Sequence, residues 1–171
     1  MSSVRHDFHD SLKFSHEAEE LPMWEEVYKA AFPRMVAMIS YRSDGHHQRE
    51  GIDRGVYLDN AKEVLIDEKV RRKDYGDVLL EYISNDRTRS PGWVAKRLRA
   101  DYIAYAILPT RLCLMLPVLQ LQLAWDRCGE SWLSSFGTRK AANNGYQTLN
   151  CPVPVKTLFS EIGAGLRVNW S

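Results

Sequence analysis

GIDRGVYLDNAKEVLIDEKV, residues 51–70, decides how this chain is read. GIDRGVYL (51–58) and KEVLIDEKV (62–70) are runs rich in strand-favouring residues. Between them stands Asp59-Asn60-Ala61, short enough to join antiparallel strands. The spacing predicts a hairpin. Side chains alternate across a strand. Val64, Ile66, Glu68 and Val70 therefore share one face, and Leu65, Asp67 and Lys69 share the other. A turn near Asn60 sets residue 53 roughly opposite residue 67. Asp53, Asp67 and Lys69 are thus expected on one patch of sheet, with Glu68 pointing away.

Outward from the hairpin, DVLLEYIS (77–84) reads as a third strand that would complete a β-meander. Upstream, Leu21, Trp24, Val27, Tyr28 and Ala31 follow helical spacing until Pro33 interrupts it. MVAMISY (35–41) is short and apolar enough to be either strand or helix, and residues 43–51 read as a polar loop. Downstream, residues 94–106 begin as an amphipathic helix and turn to strand near Ile103. RLCLMLPV is a strand candidate, and LQLQLAWDRCGESWL (119–133) is a helix. SFGTRKAANNGYQ reads as a loop, followed by an extended, proline-bearing piece and a helical turn. The expected fold is α/β (α+β): a mixed β-sheet with a central meander, flanked by helices. One domain would span residues 16–171, behind a weakly ordered tail at 1–15.

Composition narrows the function classes. Of 171 residues, 44% are hydrophobic and 26% charged, an ordinary globular balance. The net charge of +1 excludes a polycation, so any affinity for nucleic acid must come from local clusters. Cys113, Cys128 and Cys151 lie far apart with no CxxC pair, which argues against structural zinc and for reduced thiols in a cytoplasmic protein. The stretch around Leu112 to Leu123 is broken by Pro117, Gln120 and Gln122, so no membrane partner is expected. The first residues lack an apolar signal core. The five histidines make no spaced ligand set, and neither a glycine-rich phosphate loop nor a GxSxG elbow is present.

The chemistry lies in the hairpin. Two carboxylates meeting on one patch repel each other unless a proton or a cation intervenes. Hard oxygen ligands with room for water suit Mg²⁺ or Mn²⁺. Such an ion polarises a phosphoryl oxygen and acidifies a bound water. Lys69 beside it could orient that water or stabilise phosphate charge. The competing reading is a solvated Asp–Lys pair on an exposed strand. Asp53 at the matching hairpin position favours the site.

These residues resemble the PD-(D/E)XK nuclease superfamily, whose members carry an acid on one strand and an acidic-x-Lys triplet on the next. GID (51–53) and IDEK (66–69) are the matching parts, although Ile52 stands where the family name has proline. Gln48, LLEY (79–82), Gly92-Trp93 and Asp101-Tyr102 extend the likeness, which runs from about Phe32 to Tyr105. The resemblance implies a restriction-endonuclease-like core and Mg²⁺-dependent cleavage of DNA. Asp53 and Asp67 would be the metal ligands, and Lys69 would assist the water or the phosphate. Many members are dimers, so a homodimer is in scope. The alternatives are an inactive module that keeps the fold and binds nucleic acid or a protein partner, and hydrolysis of a small phosphoester.

Glu81, on the third strand, is a candidate further ligand or the partner of an arginine such as Arg71. Glu25, Glu26 and Glu50 are more distant candidates whose bland reading is solvent exposure. Two basic clusters flank the site in sequence: Lys69, Arg71, Arg72 and Lys73, then Arg87, Arg89, Lys96, Arg97 and Arg99 around Trp93. Gln48, Arg71, Arg72, Lys73, Trp93 and Lys96 are the expected nucleic-acid contacts, with Trp93 stacking on an unpaired base. The other reading is a solvated charge run interrupted by a core tryptophan.

Overall fold

The computed structural model describes residues 21–171; the expected tail at 1–15 lies outside them. The predicted hairpin forms. β2 (Arg54–Leu58) pairs antiparallel with β3 (Glu63–Arg71) through Arg54↔Ile66 and Val56↔Val64. The link is the expected Asp59-Asn60-Ala61, closed by Leu58 N–H to Lys62 O at 2.9 Å. Ala61 takes the left-handed conformation, φ 61°. That is a usual third position of a three-residue hairpin loop, and one where a side chain is strained.

MVAMIS becomes an edge strand, β1 (Met35–Ser40), paired with β2. A register shift between Met35 and Ala37 lets Met35 and Met38 turn inward while Val36 and Ile39 stay exposed. The first helix, α1 (Met23–Ala31), presents buried Met23, Trp24, Val27 and Tyr28 to the sheet. It stops ahead of Pro33, because the residue before a proline avoids helical geometry. The polar segment after β1 is not wholly loop. Asp44 accepts a hydrogen bond from His46 N–H at 2.8 Å and caps a short helix, α2 (Gly45–Arg49).

The meander is β1–β2–β3, not the expected β2–β3 pair with residues 77–84. The second neighbour of β3 is β6 (Tyr102–Ile107), which runs parallel to it from Ile66↔Tyr102 to Arg71↔Ile107. With both edges of β3 taken, β4 (Asp77–Asn85) has no place there. It joins a second sheet with β5 (Ser90–Pro91), β9 (Gln147–Pro154) and β8 (Arg139–Ala142). The first sheet reads β1-β2-β3-β6-β7-β10, with β7 at Leu112–Pro117 and β10 at Leu166–Asn169. It is mixed, and the fold is α+β, as expected in class. A parallel pair needs a long crossover, and residues 72–101 supply it through β4 and β5 instead of a helix.

Of the segment 94–106, the strand expected near Ile103 forms as β6, but the helical start expected from residue 94 is absent. Gly92 N–H and Val94 N–H donate to Tyr82 O and Glu81 O on β4. Those tertiary bonds override local helix propensity. A Cβ at Gly92 would lie 2.2 Å from Glu81 O, so only glycine permits this approach. β8, Arg-Lys-Ala-Ala, is a strand only because β9 holds it, which hides it from any reading by propensity. Prolines 152 and 154 of β9 sit beyond the span covered by β8, where no second ladder asks for their N–H groups.

The first sheet is covered on both faces. α1 packs over Ile66, Ala104, Ala106, Cys113 and Met115. The opposite face, with Ile103, Tyr105, Leu114 and Leu116, meets Val78 and Leu80 of β4 together with α3 (Val118–Phe136) and α4 (Val155–Ile162). Among the described residues, no helix is long and apolar enough to cross a membrane.

Ala61→Gly should relieve the left-handed strain in the hairpin loop and stabilise the protein by up to about 1 kcal/mol. A higher urea midpoint with an unchanged slope is the expected readout; a lower midpoint contradicts it.

Candidate active site

β3 carries two chemically opposed faces. On the α1 side, the Glu68 side chain is fully enclosed. Arg54 Nε reaches it at 2.6 Å, Arg42 Nη2 at 2.8 Å and the Tyr28 hydroxyl at 2.6 Å. Burial and the adjacent carboxylate push the Tyr28 hydroxyl well above its ordinary pKa, so it stays protonated and donates. A buried carboxylate needs such partners, because desolvation would otherwise drive it to protonate. Glu68 does point away from Asp67, as the alternation predicts. What the sequence reading missed is the set of partners. The signal was available: a charge in the buried row of a strand demands cations, and Arg54 stands one residue after Asp53 on the neighbouring strand.

On the other face stand Asp67 and Lys69. Asp53 precedes β2 and lies opposite Asp67, since the Arg54↔Ile66 register continues by one pair and Asp53 N–H donates to Ile66 O at 2.8 Å. The two carboxyls are within hydrogen-bonding reach of each other. Asp67 is 3% exposed and ion-paired with the Lys69 ammonium. Burial, and Asp53 beside it, outweigh that ammonium and push the Asp67 carboxyl up to about 6. Burial pulls the Lys69 ammonium down, but Asp67 and then Asp53 more than offset it and hold its pKa above the ordinary value.

Asp53 is held from three sides. Glu68 N–H donates to its Oδ2 at 2.7 Å, Gln48 Nε2 donates to its Oδ1 at 3.1 Å, and Arg42 Nη2 lies 3.7 Å from Oδ2. Arg42 therefore joins the two faces, bridging Asp53 and Glu68. α2 explains the place of Gln48, since this short helix turns the chain back toward Asp53.

Glu81 arrives from the second sheet. Arg71 of β3 bonds Asp77 of β4 at 2.9 Å, and Lys69 and Glu81 attract one another, so β4 runs back along β3. Burial raises the Glu81 pKa against the pull of Lys69 and Lys96, and the Trp93 backbone N–H faces its carboxylate. Asp53, Asp67, Lys69, Glu81, Gln48 and Lys96 thus belong to one locality at the seam between the sheets.

The remaining candidates lie elsewhere. Arg71 is engaged by Asp77 and by the Tyr105 hydroxyl at 2.9 Å. Trp93 is 6% exposed and packed in the core, so its indole offers no face to a base; its backbone serves Glu81 instead. Arg97 is exposed, as is Lys96 at the edge of the site, on an irregular segment and not a helix. Arg72 and Lys73 are exposed on the β3–β4 link. Glu25 pairs with Lys29, Glu26 holds Ser171, and Glu50 meets Arg99 at 2.7 Å, so none of these joins the carboxyl pair.

Two adjacent carboxyls, one of them raised to about 6 chiefly by burial, are hard oxygen donors of the kind that a divalent cation takes. Among the described residues no three His, Cys, Asp or Glu side chains form a ready metal cluster. A two-carboxylate site leaves most positions to water and substrate oxygens, which is the usual manner of Mg²⁺. Comparison with protein-family models, with curated proteins and with solved structures gives no match.

Glu68→Ala leaves Arg54 buried without its main partner and should cost about 3–5 kcal/mol. Tyr28→Phe, which removes one hydrogen bond, should cost about 1–3 kcal/mol. Urea titrations of both variants check the order, and equal losses would contradict it. A second expectation concerns pH. Asp67 binds its proton more tightly folded than unfolded, so its contribution is complete below its ordinary value of 3.8 and is lost as pH rises toward about 6. In metal-free, chelator-treated protein that loss should reach about 3 kcal/mol. Asp67→Asn should flatten the profile between pH 4 and 6, a window set by the same carboxyl. An unchanged slope in that variant contradicts the assignment.

Proposed function

We propose that this protein is a divalent-metal-dependent nuclease that hydrolyses phosphodiester bonds in DNA, on a restriction-endonuclease-like core. The observation that carries the reading is the meeting of Asp53 and Asp67 across one strand pair, with Lys69 on the same face. Asp53 and Asp67 would hold Mg²⁺ or Mn²⁺, with Glu81 close enough to Lys69 to join the same charge network. When bound, the ion supplies Lewis-acid polarisation and an acidified water.

The chain's own residues divide the remaining work. Gln48 and the Glu68 backbone N–H fix Asp53, one on each oxygen, so its carboxylate presents a set direction. Asp67 is walled off from bulk water by its burial. The Lys69 ammonium, paired with Asp67, would stand beside a phosphate or a water bound at that carboxylate. Glu81 and Lys96 balance one another at the rim.

The second reading, a module that binds nucleic acid or a protein without cleaving, is favoured by a specific observation. Lys69, Gln48, Arg42 and the Glu68 N–H already give both carboxylates partners. Metal response discriminates the two. Mn²⁺ should raise the thermal midpoint of the wild-type protein and leave that of Asp53→Ala and Asp67→Ala unmoved.

In cleavage assays on linear, circular, single-stranded and branched DNA, activity should require Mg²⁺ or Mn²⁺. Asp67→Ala and Lys69→Ala should each lower it by on the order of 10²-fold or more while remaining folded. Full activity in both variants, or none in the wild-type protein on any substrate, refutes the nuclease reading.

A further inference from the structure

The hairpin of β8 and β9 extends the candidate site sideways. Glu81 pairs with Asn150 on β9, and Asn150 pairs with Arg139 on β8. Residues paired in this way share one face of a sheet. Neighbouring strands are separated by about 4.8 Å, which sets the Arg139 backbone about 10 Å from that of Glu81. β8 is exposed along its whole length. Of its two cations Arg139 shares the Glu81 face and Lys140 turns to the other, and residues 137–150 contain no Asp or Glu.

The β3–β4 link comes up against this strand. It carries Arg72, Lys73 and Tyr75. The Arg139 guanidinium lies 5.8 Å from the centre of the Tyr75 ring, and that of Arg71 lies 5.4 Å from it. Two segments far apart in sequence are thus joined through one aromatic ring. Tyr75 nevertheless remains 58% exposed. The carboxylates of the link are turned to local use: Asp77 holds Arg71, and Asp74 accepts the Gly76 N–H at 2.8 Å.

An exposed ring steadied by guanidiniums, inside a run of cations and beside an acidic cleft, has the parts of a single-strand platform. Cations track the phosphates and the ring takes an unpaired base. A duplex keeps its bases stacked on each other and offers nothing to the ring. We propose that Tyr75 and Arg139, with Lys73 on the same link as the ring, bind the single-stranded part of a nucleic-acid substrate next to the scissile position. This rests on the nuclease reading for the chemical class of the ligand. Arg71 holds the ring, since Asp77 and the Tyr105 hydroxyl already engage its guanidinium.

The test is fluorescence anisotropy on the full chain carrying Asp67→Asn, with chelator present so that nothing is cut. The probes are a labelled oligothymidine and a duplex of equal length. The single strand should bind more tightly. Tyr75→Ala should weaken it about tenfold, in line with loss of one base stack, and change duplex binding less than twofold. Tyr75→Phe should retain single-strand affinity. Arg139→Ala should weaken binding and reduce the slope of log affinity against log salt by about 0.7. Equal losses on both probes after Tyr75→Ala, no loss on either, or no binding of either probe overturns the proposal. Tyr75-dependent binding by a protein that cleaves no DNA would remove the nuclease reading and keep this one. Metal-dependent cleavage indifferent to Tyr75→Ala would do the reverse.

Discussion

Glu68 is the carboxylate on which the arrangement of this protein depends. It sits in the middle of β3, sealed beneath α1, and draws Tyr28, Arg42 and Arg54 onto itself. A buried charge of this kind contributes little net stability compared with an apolar residue of the same size. Its effect is on register. A slip of one residue would expose Glu68 and bury Asp67 and Lys69 under the helix. The observed pairing gives Glu68 its partners, and it also brings Asp53 against Asp67.

The second sheet then makes the acidic patch a cleft. Had β4 continued the meander, the Asp67 face would be an open surface and its carboxyl an ordinary one. Because β4 folds back over β3, Asp67 is desolvated, Glu81 is carried toward Lys69, and the chain at Gly92 is clamped onto Glu81. The perturbed carboxyl is therefore a product of the interlayer seam. Carboxyls raised by burial, with a second acid beside them, are common at active sites.

The reach of the sequence follows from the same physics. Hairpin, face and register were legible at residues 51–70 because strand alternation is local and the loop is short. α1 and α3 were legible because an amphipathic period needs no distant partner. Three features were not. The parallel pairing of β3 with β6 depends on a segment thirty residues away. The strand character of Arg-Lys-Ala-Ala is imposed by β9. The non-helical entry to residues 94–100 follows from the bonds of Gly92 and Val94 to β4 carbonyls. At the site, Asp53, Asp67 and Lys69 came from local geometry; Glu81 was a candidate on an expected meander strand, but it approaches Lys69 from the second sheet, a placement that no local pattern announces. Arg42 was invisible, because it reaches Glu68 and Asp53 from a bend with no periodic signature.

The excursion of residues 72–101 between β3 and its parallel neighbour has a kinetic corollary. β2 and β3 meet through a tight local closure, and β1 joins them across the short segment that holds α2, so all three can pair early in synthesis. The docking of β6 must wait for a long loop to close, and non-local pairing of this sort sets the pace of folding. During that interval β3 presents a bare edge, and its acids face water. The nascent chain thus passes through a stage in which the hairpin exists while its cleft does not, and in which premature pairing with another copy is the main hazard.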